Sequence, residues 1–233
     1  MTRQFPLDLR WPPHQRLDAF WPGANAGALG DVAKLAESTR QPWLFLHGAA
    51  GTGKSHLLIG ACRAALDAGR AARYVSLAAL PAPRAKALGE LAPGDLLALD
   101  DVQAVAGDAA SEQALFGLYN RAQSAASSLL FAAPAPPGEL GIGLPDLVSR
   151  LARCTQWAMR PLDDAGRRAM LWLLTRRLGL RLDDDVLDWL MARHPRDTAS
   201  LVALVRRIDR AALAAQRRVT VPFLRGLLRE SDT

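Results

Sequence analysis

Residues 48–55 read G-A-A-G-T-G-K-S, and they match the phosphate-binding pattern G-x-x-x-x-G-K-[ST] at every fixed position. Glycines in such a loop let consecutive backbone N–H groups turn toward one anion. Lys54 would then lie against the β- and γ-phosphates of ATP, or the β-phosphate of ADP, and the Ser55 hydroxyl would ligate Mg²⁺. The pattern therefore predicts a nucleotide site. Its residues are Gly48, Gly51, Thr52, Gly53, Lys54, Ser55 and His56.

The elements on either side of this loop decide between that prediction and a chance glycine-rich turn. An apolar run at 43–46 precedes the loop and is typical of a buried strand. Leu57, Leu58 and Ile59 follow it and are typical of the inward side of a helix. A helix that begins at the loop adds its positive end to the phosphate site. This order of strand, loop and helix favours nucleotide binding.

A second pair of residues that could do chemistry follows another predicted strand, 95–99, whose residues 96–99 are all apolar. Asp100 and Asp101 come directly after it. Strand ends are often acidic, so the two carboxylates alone indicate little. Downstream of a full phosphate loop, Asp100 is predicted to hold Mg²⁺ and Asp101 to orient or polarise the attacking water.

The remaining elements predict an α/β fold with a mostly parallel sheet covered by helices. Strands are expected at 73–77, 128–133 and 154–159, and helices at 26–38, 111–126 and 145–151, the first of them capped by Asn25. From Pro161 onward the pattern is helical throughout, and Asp163 is expected to cap the first of these helices. We therefore expect an extended arm at 1–19, an α/β nucleotide-binding domain at 20–160 and a small all-helical lid domain at 161–233.

Composition restricts the class of protein further. Half of the 233 residues are apolar, and no apolar run reaches membrane-spanning length, so a globular cytoplasmic protein is expected. Cys62 and Cys154 fit no metal spacing and are predicted to be buried thiols. Residues 1–146 hold 12 basic and 13 acidic side chains, whereas residues 147–233 hold 17 and 10. The basic excess is compatible with solvated helix faces or with weak contact to DNA.

The amino-terminal arm contains the segment Q-F-P-L-D-L at residues 4–9. An extended arm can place Gln4, Phe5, Leu7 and Leu9 in a groove of another protein, where glutamine supplies hydrogen bonds and the apolar side chains supply buried area. The alternative is an arm that packs on its own domain.

Several segments together carry a family resemblance. A phosphate-loop sheet domain with a helical lid resembles an AAA+ module. G-T-G-K-S-H-L-L at 51–58 and L-D-D-V-Q at 99–103 resemble the replication initiator DnaA, and 143–151 and 215–223 are similar to the shorter Hda family, the regulatory inactivators of DnaA. Residues 4–9 are similar to the clamp-binding peptide of that family. The sequence ends after the lid, so a DNA-reading helix-turn-helix domain like that of DnaA is not expected.

The resemblance implies a function and partners. It implies a regulator that docks on the DNA-loaded sliding clamp of DNA polymerase III through Gln4, Phe5, Leu7 and Leu9, promotes hydrolysis of DnaA-bound ATP and represses re-initiation. It gives Arg150 the role of an arginine finger in trans, whereas helical spacing alone favours a pair with Asp146. DNA contact is then mainly indirect, a homo-oligomer is possible, and no membrane is involved.

The sequence also departs from the AAA+ pattern at both sensor positions. A polar residue is expected at the end of the strand 128–133, where Ala133 and Pro134 stand, and the lid arginine falls on Ala199. These losses favour bound ADP and little hydrolysis by the chain itself. The alternative is an active AAA+ ATPase that acts on DNA as a helicase loader or remodeller.

Overall fold

A five-stranded parallel sheet forms the centre of the protein. The computed structural model describes residues 15–38, 42–180, 182–193, 198–215 and 218–229. The strands are β1 (Leu44–His47), β2 (Ala72–Ser76), β3 (Leu96–Asp100), β4 (Ser128–Ala133) and β5 (Thr155–Ala158). The helices around them are α1 (Ala26–Glu37), α2 (Lys54–Asp67), α3 (Arg84–Gly89), α4 (Ala109–Ser124) and α5 (Pro145–Ala152).

The order of the strands makes β1, the strand that leads into the phosphate loop, an interior strand of the sheet. The order is β2-β3-β4-β1-β5, so β1 pairs with β4 on one side and β5 on the other. His47 at the end of β1 lies opposite Ala133 at the end of β4. Because all pairs are parallel, the loop after β1 and the carboxylates after β3 leave the same edge of the sheet.

Both faces of the sheet are buried at the central strands β1, β3 and β4, which explains their apolar sequences. One face packs against α4 and α5 through a core that includes Phe45, Leu97, Leu99, Leu129 and Phe131. The other face packs against α1 and α2 through a core that includes Leu44, Leu46, Leu96, Ala98 and Leu130. Neighbouring residues of these central strands thus alternate between two separate cores. The predicted α/β class is confirmed.

One predicted detail of this region is wrong. Helix α1 begins where the sequence predicts, but the side chain of Asn25 makes no capping hydrogen bond. Its Nδ2 instead donates to the carbonyl oxygen of Arg160 at 2.8 Å, and its Oδ1 accepts from the Arg160 N–H at 2.8 Å. Asn25 is buried, so both of its polar atoms are used to join α1 to the segment after β5.

The carboxy-terminal third is helical, as predicted, and contains α6 (Asp164–Arg177), α7 (Asp184–Arg193), α8 (Thr198–Ala215) and α9 (Val221–Arg229). Asp163 caps α6 by accepting a hydrogen bond from the Gly166 N–H at 2.7 Å, which confirms its predicted role. Two small cores hold these helices together. The first includes Met170, Leu171, Leu187, Leu201 and Val205, and the second includes Val186, Leu190, Ile208 and Leu224.

The two cysteines behave as predicted. Cys62 and Cys154 are free thiols and both are buried. Burial raises the pKa of each thiol to about 12. None of the described helices is long and apolar enough to cross a membrane.

Candidate nucleotide site

The loop between β1 and α2 has a backbone that requires glycine at two crowded points. Gly48 and Gly53 have φ angles of 148° and 94°. A Cβ on Gly48 would lie 2.5 Å from the carbonyl oxygen of Met159, and one on Gly53 would lie 2.5 Å from the Phe20 ring. Both the backbone conformation and the close neighbours therefore exclude larger side chains.

Lys54 is folded into this loop. Its Nζ donates to the carbonyl oxygens of Gly48, at 2.6 Å, and Ala49, at 2.8 Å. Burial lowers the pKa of Lys54, and the nearby charges of Asp100 and Asp101 oppose that shift. An anion at this loop would meet the ammonium group and the N-terminus of α2 together.

Asp100 and Ser55 are brought together by a tyrosine that the sequence did not single out. The Tyr74 hydroxyl donates to Asp100 Oδ2 at 2.9 Å and also hydrogen-bonds with Ser55. Burial and the charge of Asp100 raise the pKa of Tyr74, which keeps its proton available to the carboxylate. Tyr74 lies in an otherwise ordinary strand, so no signal in the sequence marks it.

The pair of oxygen donors fits a magnesium ion. Asp100 is only 3% exposed, and Ser55 is linked to it through the Tyr74 hydroxyl. Mg²⁺ prefers hard oxygen ligands and takes most of its shell from water and phosphates, so one hydroxyl and one carboxylate suffice. No group of three or more His, Cys, Asp or Glu side chains that could hold a metal ion is found in the described part of the chain.

Asp101 lies beside this pair but is held by other donors. Its backbone is left-handed, with a φ of 59°. Ser76 Oγ donates to its Oδ2 at 2.7 Å, and Gln103 Nε2 donates to its Oδ1 at 3.3 Å. The carboxylate predicted to act on water is therefore fixed in orientation by neighbours on both sides.

A cavity of about 270 Å³ extends from the phosphate loop toward the helical lid. His56 lines it and is fixed in place, since its Nε2 lies 2.8 Å from the carbonyl oxygen of Arg16. That oxygen can only accept, so Nε2 carries the proton. Phe20 packs edge-on against the imidazole with ring centroids 5.4 Å apart, and burial lowers the pKa of His56. The segment before α1 thus forms one wall of the cavity.

The structure places the predicted loop residues and the two carboxylates at one site, while other predicted residues lie elsewhere. Ala133 ends β4 beside the loop, so this position carries a methyl group instead of the polar side chain expected of an AAA+ sensor. Ala199 lies in the first turn of α8. Gln4, Phe5, Leu7 and Leu9 lie outside the described residues.

Arg150 lies on α5, away from the phosphate loop. Helix α5 packs with the core on one face of the sheet, whereas α2 packs on the other face. The Arg150 guanidinium lies over the ring of Tyr119, 5.7 Å from its centroid, and Tyr119 packs edge-on against Trp43 at 4.6 Å. Within the described chain, Arg150 forms no ion pair with Asp146, so the pairing that helical spacing favours is not found.

A buried glutamate holds the start of α5. Glu112 Oε1 accepts from the N–H groups of Gly107, at 2.9 Å, and Gly143, at 3.0 Å, and its Oε2 accepts from the Leu144 N–H at 2.8 Å. Glu112 is 3% exposed. It is a positioning residue that joins α4 to the segment leading into the Arg150 helix. In the sequence it looked like one more polar residue of a helix.

We expect Glu112→Ala to lower the free energy of unfolding by about 1–3 kcal/mol, because three N–H groups lose their acceptor but water can reach the exposed Gly107 and Gly143 in its place. Urea unfolding followed by circular dichroism measures the effect. Glu90→Ala, at an exposed site, is the control and should unfold like the wild type. An unchanged urea midpoint for Glu112→Ala would show that these three hydrogen bonds contribute little.

Two family models match this chain, and the boundary between them falls between β5 and α6, where the α/β region gives way to helices. Residues 15–158 match the model of the bacterial DnaA ATPase domain, and residues 164–228 match that of the Hda lid domain. The first match alone covers more than half of the chain.

Solved structures agree with this arrangement. Domain III of the Thermotoga maritima replication initiation protein DnaA is 18% identical, with a TM-score of 0.78 over 94% of this chain and 97% of that chain. AMPPCP-bound DnaA from Aquifex aeolicus is 23% identical, with a TM-score of 0.70 over 84% of this chain and 65% of that one. The Holliday junction branch migration motor RuvB of T. maritima is 16% identical, with a TM-score of 0.62 over 88% and 68%. The TM-scores show that this chain shares its fold with these proteins.

Proposed function

This chain belongs to the DnaA-related AAA+ family and carries a lid of the Hda type, and from this premise we propose that it promotes hydrolysis of DnaA-bound ATP on the DNA-loaded sliding clamp. The observation that carries the proposal is the combination of a DnaA-type ATPase domain and an Hda-type lid in one chain. Such a protein would act on DnaA itself and would repress re-initiation of replication.

Nucleotide binding is the first part of this proposal. Lys54 and the N-terminus of α2 would hold the phosphates of ADP or ATP, and Ser55 and Asp100 would hold Mg²⁺. The AMPPCP-bound DnaA of A. aeolicus has the same fold, which supports a nucleotide at the corresponding loop. A bound ADP would then order the cavity between the phosphate loop and the lid.

Action in trans is the second part. A guanidinium near a transferring phosphoryl group stabilises the charge that develops there. Arg150 lies on the face of the sheet opposite α2, which supports a target outside its own phosphate loop, and we infer that this target is the nucleotide of a neighbouring DnaA subunit. Tyr119 holds the guanidinium in position through its ring.

Slow turnover by the chain itself is the third part. Ala133 supplies no polar group at the end of β4, and Asp101 is engaged by Ser76 and Gln103. The complete phosphate loop and both carboxylates favour a second candidate, an active ATPase that acts on DNA. Turnover by the isolated protein on the order of 1 per second or more, as in typical enzymes, would favour that candidate.

The experiment that tests the main proposal is single-turnover hydrolysis of ATP bound to DnaA. The reaction is run with DNA-loaded clamp alone, with this protein alone, and with both. We expect rapid loss of DnaA-bound ATP only with both. Equal rates in all three reactions would contradict the proposal.

The arm gives a separate prediction for the clamp. We expect Gln4→Ala combined with Leu7→Ala to abolish clamp binding without unfolding the protein, because a short peptide in a groove depends on few anchors. Pull-down with purified clamp measures the loss, and Arg10→Ala, just outside the pattern, is the control. Undiminished binding by the double variant would end the clamp-arm hypothesis.

A further inference from the structure

The wall that the lid contributes to the cavity contains an arginine that no motif had singled out. Thr198, Val202 and Arg206 of α8 line the cavity that Gly51, Thr52 and Gly53 line from the other side. Residues four apart on a helix share one face, so α8 presents a continuous stripe to the phosphate loop. Arg206 is the cationic member of that stripe.

The Arg206 side chain has a hydrogen-bond donor, its Nε, that is not used within the described structure. Its Nε is buried and finds no hydrogen-bond partner among the described residues. Burial and the neighbouring charge of Arg210 lower the pKa of Arg206, and Asp209 opposes the shift. Arg177, another arginine at this cavity, is already engaged, because it donates to the Asp18 carbonyl oxygen and pairs with the Asp18 carboxylate.

The position of Arg206 relates it to the sensor that the sequence lacks. Seven residues separate Ala199 from Arg206, which is about 20° short of two full turns of an α-helix. The two positions therefore share one face of α8. An arginine is absent at the start of the helix but present two turns further along the same stripe.

We propose that Arg206 is a nucleotide-binding residue of the lid, whose guanidinium donates to a nucleoside di- or triphosphate held by the phosphate loop. This inference rests on the proposed nucleotide binding. A guanidinium has only donors, and none of the side chains that line the cavity carries a negative charge. A nucleotide supplies both negative charge and acceptor atoms, and its contact with Arg206 would join the lid to the loop.

The test is isothermal titration of the whole protein with ADP and Mg²⁺. We expect Arg206→Met, which keeps the apolar stem, to weaken ADP binding about 10- to 100-fold, the usual effect of losing hydrogen bonds from a charged donor. Arg206→Lys should fall between Met and the wild type because it keeps the charge but not the planar fork. Arg210→Ala, exposed on the same helix, should bind like the wild type.

Each outcome has one meaning. If Arg206→Met binds ADP as tightly as the wild type, the side chain only packs against the lid and the inference is wrong. If Lys54→Ala weakens ADP binding while Arg206→Met does not, nucleotide binding stands and only the role of Arg206 fails. If the wild type does not bind ADP, the proposed function fails and this inference fails with it. Thermal melts without nucleotide verify that each variant is folded. If Arg206→Met does not fold, the ADP affinity of Arg206→Lys tests the role of Arg206 instead.

Discussion

Arg150→Ala is expected to lose most of the stimulation of DnaA-bound ATP hydrolysis while keeping the fold, ADP binding and clamp binding. Arginine fingers in other phosphate-loop systems contribute roughly 10³–10⁵ in rate, so the loss should be of that order. The fold should survive because Leu147 and Leu151, and not Arg150, bury α5 in the core.

The geometry around Arg150 explains why a lysine would be a poor substitute. The guanidinium is held by the face of the Tyr119 ring, which is itself fixed by Trp43. A flat cation can rest on that ring and still present two donors to a phosphate, whereas an ammonium is a point charge. Arg150→Lys should therefore restore only a small part of the rate.

The measurement is single-turnover loss of DnaA-bound ATP on clamp-loaded DNA. Arg153→Ala is the matched control, because Arg153 is exposed just after the same helix and has no ring beneath it in the described structure. We expect Arg153→Ala to stimulate like the wild type. If Arg150→Ala also stimulates hydrolysis like the wild type, Arg150 is not an arginine finger in trans. If only Arg153→Ala loses stimulation, Arg153 is the arginine finger.

The features that the sequence predicts well are those determined by residues that are close together in the sequence. The loop at 48–55 needs a strand, glycines and a helix in sequence order, so its pattern is visible in a single segment. The alternation between two cores is likewise implied by apolar runs long enough for a covered sheet. The helical lid was predicted from its periodicity, and Asp163 from its place before α6.

The parts that sequence missed depend on contacts between distant segments. Tyr74 meets Asp100 only because β2 and β3 are adjacent and parallel. Glu112 hydrogen-bonds to the segment before α5, about thirty residues later in the sequence. Asn25 hydrogen-bonds to Arg160, at the other end of the sheet domain in sequence. In each case the residue type is ordinary for its element, so its role follows from the tertiary fold. Arg206 belongs to the same group, since the cavity that it lines exists only once the lid is in place.

Lys54→Ala is expected to remove nearly all of the stabilisation that ADP gives the protein. At an ADP concentration of 100 Kd, bound ligand stabilises the folded state by about 2.7 kcal/mol. For a chain of this size, that corresponds to a rise in melting temperature of about 5–10 °C. Loss of the charge that meets the phosphates should weaken ADP binding about 100-fold, which leaves only about 0.4 kcal/mol at the same ADP concentration.

Without nucleotide, the same substitution should change the melting temperature little. The Lys54 ammonium donates two hydrogen bonds, to the carbonyl oxygens of Gly48 and Ala49, but burial disfavours its charge, as the lowered pKa of Lys54 shows. These contributions oppose each other, so their joint removal is nearly neutral. Thermal melts with and without ADP and Mg²⁺ separate the two effects, and Lys86→Ala, at an exposed site, should keep the full shift. A Lys54→Ala protein that still melts 5–10 °C higher with ADP would place the ligand somewhere other than this loop.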